Sequence, residues 1–197
     1  MRTLGDTSGD LPTLLFQNQR AWETWLGKNY TSSPGVWLRI ARKASSVKSV
    51  SYAEALEVAL CYGWIDGQKK GESENAWLQK FTPRAKKSIW SKINREKALA
   101  LIESGKMKTA GLNALEHAKK DGSWEAAYDS QSGAAVPADL QAALDKNARA
   151  KAFFVTLDSH NRYAVLFRIQ TAKKAETRAK RIQKFVEMLE KHEKLHP

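Results

Sequence analysis

The chain has 197 residues, 42% hydrophobic and 27% charged, which is enough apolar material for one large domain or two small ones and argues against wholesale disorder. No run approaches about 18 consecutive apolar residues, so no membrane span is expected, and Met1-Arg2-Thr3-Leu4-Gly5-Asp6 is not the start of a secretory signal. The single cysteine, Cys61, excludes an internal disulfide framework, and one Cys with four scattered His excludes a zinc-finger cluster.

These features predict a cytoplasmic protein with no cofactor and no metal. The 33 Lys and Arg outnumber the 21 Asp and Glu, for a net charge of +12. That excess favours anionic partners: nucleic acid, anionic lipid, or small phosphorylated or carboxylated ligands. It is uneven. Residues 80–108 carry nine cations against Glu96 and Glu103, and a second basic run covers 173–184. Such runs serve either as solvated helix faces or as binding surfaces.

In chain order, 1–12 reads as a flexible tail, with Gly5, Gly9 and Pro12. Residues 16–30 predict a helix, with Trp22, Trp25 and Leu26 on one face. After the turn Thr31-Ser32-Ser33-Pro34-Gly35, Val36-Trp37-Leu38-Arg39-Ile40 predicts a strand. Ser51-Tyr52-Ala53-Glu54 is a capping box, and it opens a helix with the stripe Tyr52, Ala55, Leu56, Ala59 and Leu60. Gly63 is placed to close that helix in the left-handed conformation. Residues 64–69 and 77–81 predict a short antiparallel hairpin.

From Ser91 the period is helical throughout. Ile93, Leu101 and Ile102 supply the apolar positions of one helix, Leu112, Leu115 and Ala118 those of a second, with stops at Gly105 and Gly122. Residues 129–137 read as a linker, and Pro137 and Asn147 start short helices. The last helix carries Ala175, Ala179, Ile182, Val186 and Leu189 at helical spacing. His192 and His196 are spaced for one helix face but fall at an end expected to fray. The fold class is α+β: a small N-terminal helix and strand unit with a hairpin, then an all-helical C-terminal region. The expected division is a tail at 1–12, an α+β domain at 13–91, a helical extension at 92–128, a linker at 129–137 and a helical module at 138–197.

No Gly-rich phosphate loop and no nucleophile elbow occurs. Cys61, beside Leu60 in a helix, reads as a buried, inert thiol. The informative stretches are Tyr62-Gly63-Trp64-Ile65-Asp66-Gly67 and the segment from Phe81 to Arg95. Alternation puts Trp64 and Asp66 on one strand face. Arg84, Lys86 and Ser88 follow the hairpin, and the helix start after Ser91 attracts anions. Trp64, Asp66, Arg84, Lys86, Ser88, Trp90 and Asn94 are therefore the candidate ligand-binding set, with the tryptophans as stacking walls and Asp66 orienting Arg84. The alternative is a structural Asp–Arg clamp.

At these residues the chain resembles the YdeI/OmpD-associated family, also described as bacteriocin-protection proteins. The resemblance rests on Ser51-Tyr52-Ala53-Glu54-Ala55-Leu56, Cys61-Tyr62-Gly63-Trp64-Ile65-Asp66-Gly67 and Phe81-Thr82-Pro83-Arg84 leading to Ser88-Ile89-Trp90-Ser91. It continues through Gly105-Lys106-Met107, Asp121-Gly122-Ser123-Trp124 and Ala172-Lys173-Lys174-Ala175-Glu176-Thr177-Arg178, and so runs from about Phe16 onward. It implies a link to tolerance of bacteriocins or cationic peptides, without catalytic residues. Ala85 stands where the family tends to a second arginine after Arg84. Three function classes follow: a non-enzymatic stress or tolerance factor binding a small anionic ligand or a protein partner, a nucleic-acid-binding protein using basic helices, and an enzyme acting on an anionic metabolite.

Overall fold

The computed structural model describes residues 11–131, 133–172 and 174–197; the expected tail falls outside them, apart from Leu11 and Pro12. The element order is β1 (Thr13–Leu14), α1 (Gln19–Asn29), β2 (Val36–Ala41), α2 (Tyr52–Cys61), β3 (Trp64–Gly71), β4 (Ala76–Pro83), α3 (Lys92–Glu103), α4 (Thr109–Lys120), α5 (Ala138–Asp145), α6 (Ala148–Thr156), α7 (Ser159–Gln170) and α8 (Ala175–Glu190). The class is α+β, and every named element after β4 is a helix. The described chain divides into two compact units: residues up to Ser88 together with Glu96–Lys120, and Ile89–Arg95 together with Asp121–Pro197.

The first unit is built on a four-stranded sheet of order β1-β2-β4-β3. β1 runs parallel to β2, while β4 is antiparallel to both its neighbours. The burial of β2 alternates strictly, with Val36, Leu38 and Ile40 inward, because one sheet face is packed and the other is open. The packed face carries the aromatic core. Trp22 and Leu26 of α1 are fully buried, Trp22 lies 5.8 Å from the Phe81 ring, and its Nε1 donates to the Ala55 carbonyl at 3.1 Å.

α2 is capped as its sequence demands: Ser51 Oγ accepts from the Glu54 amide at 3.3 Å, and the Glu54 carboxylate accepts from the Ser51 amide at 2.9 Å. The Ser51 amide, and the Ser51 hydroxyl donating at 2.7 Å, hold the Glu54 carboxyl below its ordinary pKa. Tyr52 departs from the expected apolar stripe. Standing in the first turn, it is 36% exposed, and its hydroxyl reaches Asp66 instead of the core. Gly63 closes the helix with φ +70°. In α3 and α4 the expected apolar positions Leu101, Leu115 and Ala118 are buried, whereas Ile93, Ile102 and Leu112 are exposed, and Ala98, not expected there, is buried.

The second unit is helical, with Leu140, Leu144, Phe154, Leu166, Ile169, Phe185 and Leu189 at the centre of its core. Its last residues are held by a tertiary contact. Asn161, 2% exposed, donates to the His196 carbonyl at 3.2 Å and accepts from the His196 amide at 2.9 Å. The fraying expected there is countered by this two-way bond, a tertiary contact that local sequence does not encode.

Candidate ligand-binding face

The residues expected to form a site are distributed as follows. Trp64 is 1% exposed; its Nε1 donates to the Tyr30 carbonyl at 3.1 Å and its ring stands edge-on to Trp22 and Trp25. It is a core residue, with no face left for a ligand. Asp66 lies on the same side of β3, as period two requires, and accepts from the Tyr52 hydroxyl at 2.7 Å. The half-buried Arg84 follows β4 and its amide donates to the Gly63 carbonyl at 2.9 Å. Lys86 is exposed, and Ser88 closes a turn onto the Ala85 carbonyl.

Trp90 and Asn94 belong to the second unit. Trp90 is 3% exposed and packs edge-on against Trp124 with ring centres 4.9 Å apart, so it too is core. The Asn94 amide donates to Ser91 Oγ at 3.1 Å, so the helix start spends that donor on its own cap.

The open face of the sheet carries a different set. Trp37 of β2 is half-buried and pairs in register with Lys80 of β4. Lys70 of β3 holds its Nζ 4.2 Å from the Trp37 ring centre, and Lys80 holds its Nζ at 5.9 Å. Both distances fall within the range of cation–π attraction. Leu78, flanked in register by Arg39 and Lys70, is only 6% exposed, as expected where long cationic side chains lay their stems over an apolar neighbour.

Arg39, the next outward residue of β2, forms a bidentate pair with Glu72, with Nη2 to Oε1 at 2.5 Å and Nε to Oε2 at 2.7 Å; this contact raises the arginine's pKa. Beyond it lies a depression of about 310 Å³, lined by Leu15, Ala41, Val47 and Ala76 with the Arg39–Glu72 pair on its rim. On the packed side of the same hairpin, Lys69 Nζ sits 4.3 Å from the Trp77 ring centre. Arginine and lysine groups over tryptophan can hold anions while the indole offers a flat apolar surface.

Two further cavities belong to single units. In the first, Glu23, Glu57, Cys61, Lys106 and Lys108 line about 210 Å³, and burial pushes the Cys61 thiol up to about 11. In the second, Ala143, Ala175, Ala179, Ile182 and Val186 line an apolar groove of about 550 Å³, with the Arg178–Asp139 pair also in its lining. Ala175 and Ala179, part of the apolar stripe expected on the last helix, are exposed residues of this groove.

Sequence reasoning placed Trp37 in a strand and 64–69 in a hairpin, but it did not find Trp37, Lys70 and Lys80 as a group. The signal present was the outward phase of Trp37 within Val36-Trp37-Leu38-Arg39-Ile40. The strand register that brings the lysines to it is a tertiary fact.

Comparison with known families divides the chain. Residues 14–114, just over half of it, match the family described as Domain of unknown function (DUF8412), and the chain belongs to that family. Residues 134–192 match the family described as Bacteriocin-protection, YdeI or OmpD-Associated, a partial match confined to the C-terminal part. The motifs around Gly63 and Arg84 that extend the resemblance toward Phe16 lie in the stretch covered by the first family. No curated protein and no solved structure matches the chain.

Proposed function

We propose that this chain is a non-enzymatic cytoplasmic binding protein that holds an anionic ligand with a flat ring on the open face of its N-terminal sheet. The observation that carries this reading is the half-buried Trp37 indole with the Lys70 and Lys80 ammonium groups 4.2 and 5.9 Å from its centre. A flat apolar surface bordered by cations suits both halves of such a ligand: the ring stacks and the charge pairs. The net charge of +12 raises the local concentration of anions around the whole molecule. The face supplies positioning groups without a nucleophile beside a base, which favours binding over catalysis. A single cysteine held as a neutral thiol suits a reducing compartment. Arg84, Lys86 and Ser88, in the same unit, are proposed as additional anion contacts.

The test is calorimetric titration with ATP of the native chain, Trp37→Leu, and the double variant Lys70→Ala with Lys80→Ala, each checked for native circular dichroism. Binding is expected to be lost in the first variant, weakened in the second and unchanged in Lys180→Ala. Equal ATP affinity in all four chains would end the proposal. A second reading is favoured by the match over residues 134–192: bacteriocin tolerance exerted through a protein partner. At +12 the chain repels a cationic peptide, so direct capture is not part of that reading. Survival of bacteria carrying or lacking the chain under bacteriocin challenge tests it.

A further inference from the structure

We propose that the ligand of the open sheet face is single-stranded nucleic acid, with a base stacked on Trp37 and the Lys70 and Lys80 ammonium groups on its phosphates. The inference rests on the preceding reading that this face holds an anion, and it names the class. Three observations carry it.

The first is competition for the indole. Lys70 now occupies the ring face at 4.2 Å. An exposed cation–π contact contributes about 0.5–1 kcal/mol, whereas a base stacked on an aromatic side chain contributes about 1–3 kcal/mol. A base therefore displaces the ammonium, and the displaced ammonium gains a phosphate.

The second is extent. Outward positions Trp37, Arg39 and Ala41 lie along one strand, and at about 3.4 Å per residue the face runs about 14 Å from the indole to the depression at Ala41 and Ala76. A strand, which carries one phosphate per nucleotide, continues along that length and past its end. Arg42 and Lys43, both exposed, follow directly at the end of β2 and extend the positive charge in the strand direction.

The third is shape. The face is an open sheet with Trp37 only half-buried, not a protruding helix or ribbon, so it meets unstacked bases and not the groove of a duplex.

The experiment is fluorescence anisotropy with labelled oligothymidylate and oligouridylate of about 12 nucleotides, within the usual site size of sheet-borne single-strand binders. A duplex of equal length, inorganic polyphosphate and ATP are the comparison ligands, and the two oligomers separate DNA from RNA as the source. Both or one of the single strands should bind at least tenfold more tightly than ATP, polyphosphate and duplex. Trp37→Leu should weaken this at least tenfold. Lys70→Ala with Lys80→Ala should reduce the slope of log affinity against log salt by about 1.4, at about 0.7 per phosphate contact. Because Trp37→Leu could disturb the sheet, the charge-reversed pair Lys70→Glu with Lys80→Glu, which leaves the indole in place, must also abolish binding.

If ATP binds in a Trp37-dependent way and the oligomers bind no more tightly, the nucleic-acid assignment is overturned and the anionic-ligand reading stands. If neither ATP nor oligomer binding depends on Trp37, both fall. Polyphosphate or duplex binding as tight as the single strand also overturns the assignment, since stacking would then contribute nothing.

Discussion

Gly111→Ala sets two effects of known sign against each other. Gly111 is buried near the start of α4, where an alanine would ordinarily favour the helix by about 1 kcal/mol. A Cβ at this position, however, would lie 2.5 Å from the Cys61 carbonyl oxygen and 2.7 Å from that of Leu60, and closer still to the Met107 sulfur. The methionine can swing away. The two carbonyls belong to the last turn of α2 and cannot, since the Cys61 carbonyl also accepts from the Lys108 amide at 3.3 Å. Overpacking of this kind costs about 1–3 kcal/mol, and two backbone contacts below 3.0 Å place the cost at the upper end. The net expectation is destabilisation by about 2 kcal/mol, which at a urea m-value of about 2 kcal/mol per molar lowers the midpoint by about 1 M. The exposed Asn113→Ala in the same helix should instead raise stability by about 0.5 kcal/mol. A Gly111→Ala midpoint at or above that of the native chain would refute the close approach of α4 to α2.

Ser51→Ala should cost about 1 kcal/mol at neutral pH by urea unfolding, since it removes an N-cap acceptor. The Glu54 half of the box is pH-dependent. Its folded pKa is lowered, so its contribution is complete above the unfolded value of about 4.3 and is lost as pH falls through the folded value. The stability gap between the native chain and Glu54→Ala should therefore be constant above about pH 5 and close in more acid solution. Cys61 is buried with its pKa raised to about 11, so at pH 8 a thiol reagent should label the folded chain far more slowly than the chain in urea, read as mass gain with time. Equal rates would show that the thiol is neither shielded nor neutral.

Features that depend on a few adjacent residues were legible in the sequence. The Ser51 to Glu54 box, the Gly63 stop, the Asn147 cap and the hairpin each encode their conformation locally, through a side-chain acceptor, a missing Cβ or period-two patterning. Helix faces in the second half were less legible. Leu112 fits the period of α4 yet stays exposed, while α3 buries the unexpected Ala98, because small residues let helices approach and large ones at the margin stay outside. The stripe on α8 was legible as a stripe, but not as the lining of an open groove, because periodicity reports a face and not what covers it. Trp64 and Trp90 were read as stacking walls for the same reason: an aromatic beside polar residues looks alike in the core and at a surface until burial is known.

The candidate face was hidden by one irregularity. Strict alternation along β3 from Trp64 and Asp66 puts position 70 on the packed side. The pairing slips between Asp66 and Lys69, where Gly67 and Gln68 together oppose Lys80, and this bulge inverts the phase so that Lys69 turns to Trp77 and Lys70 to Trp37. A bulge leaves carbonyls outside the ladder, and here a buried side chain serves them: Gln79 is 3% exposed, and its Nε2 donates to the Gly67 carbonyl at 2.9 Å and the Gln68 carbonyl at 3.2 Å. A glutamine among inward residues of a central strand is thus the sequence trace of the bulge, and through it of the face itself. Gln79→Leu keeps the side chain's bulk but strands both carbonyls, which costs about 1–3 kcal/mol when they stay dry. It should lower the urea midpoint by about that equivalent and weaken oligonucleotide binding, because the phase that presents Lys70 to Trp37 is no longer held. Gln79→Glu, which removes the donor while keeping the length, should behave the same way. If Gln79→Leu matches the native chain in both midpoint and binding, Gln79 does not hold the bulge, and the placement of Lys70 has another cause.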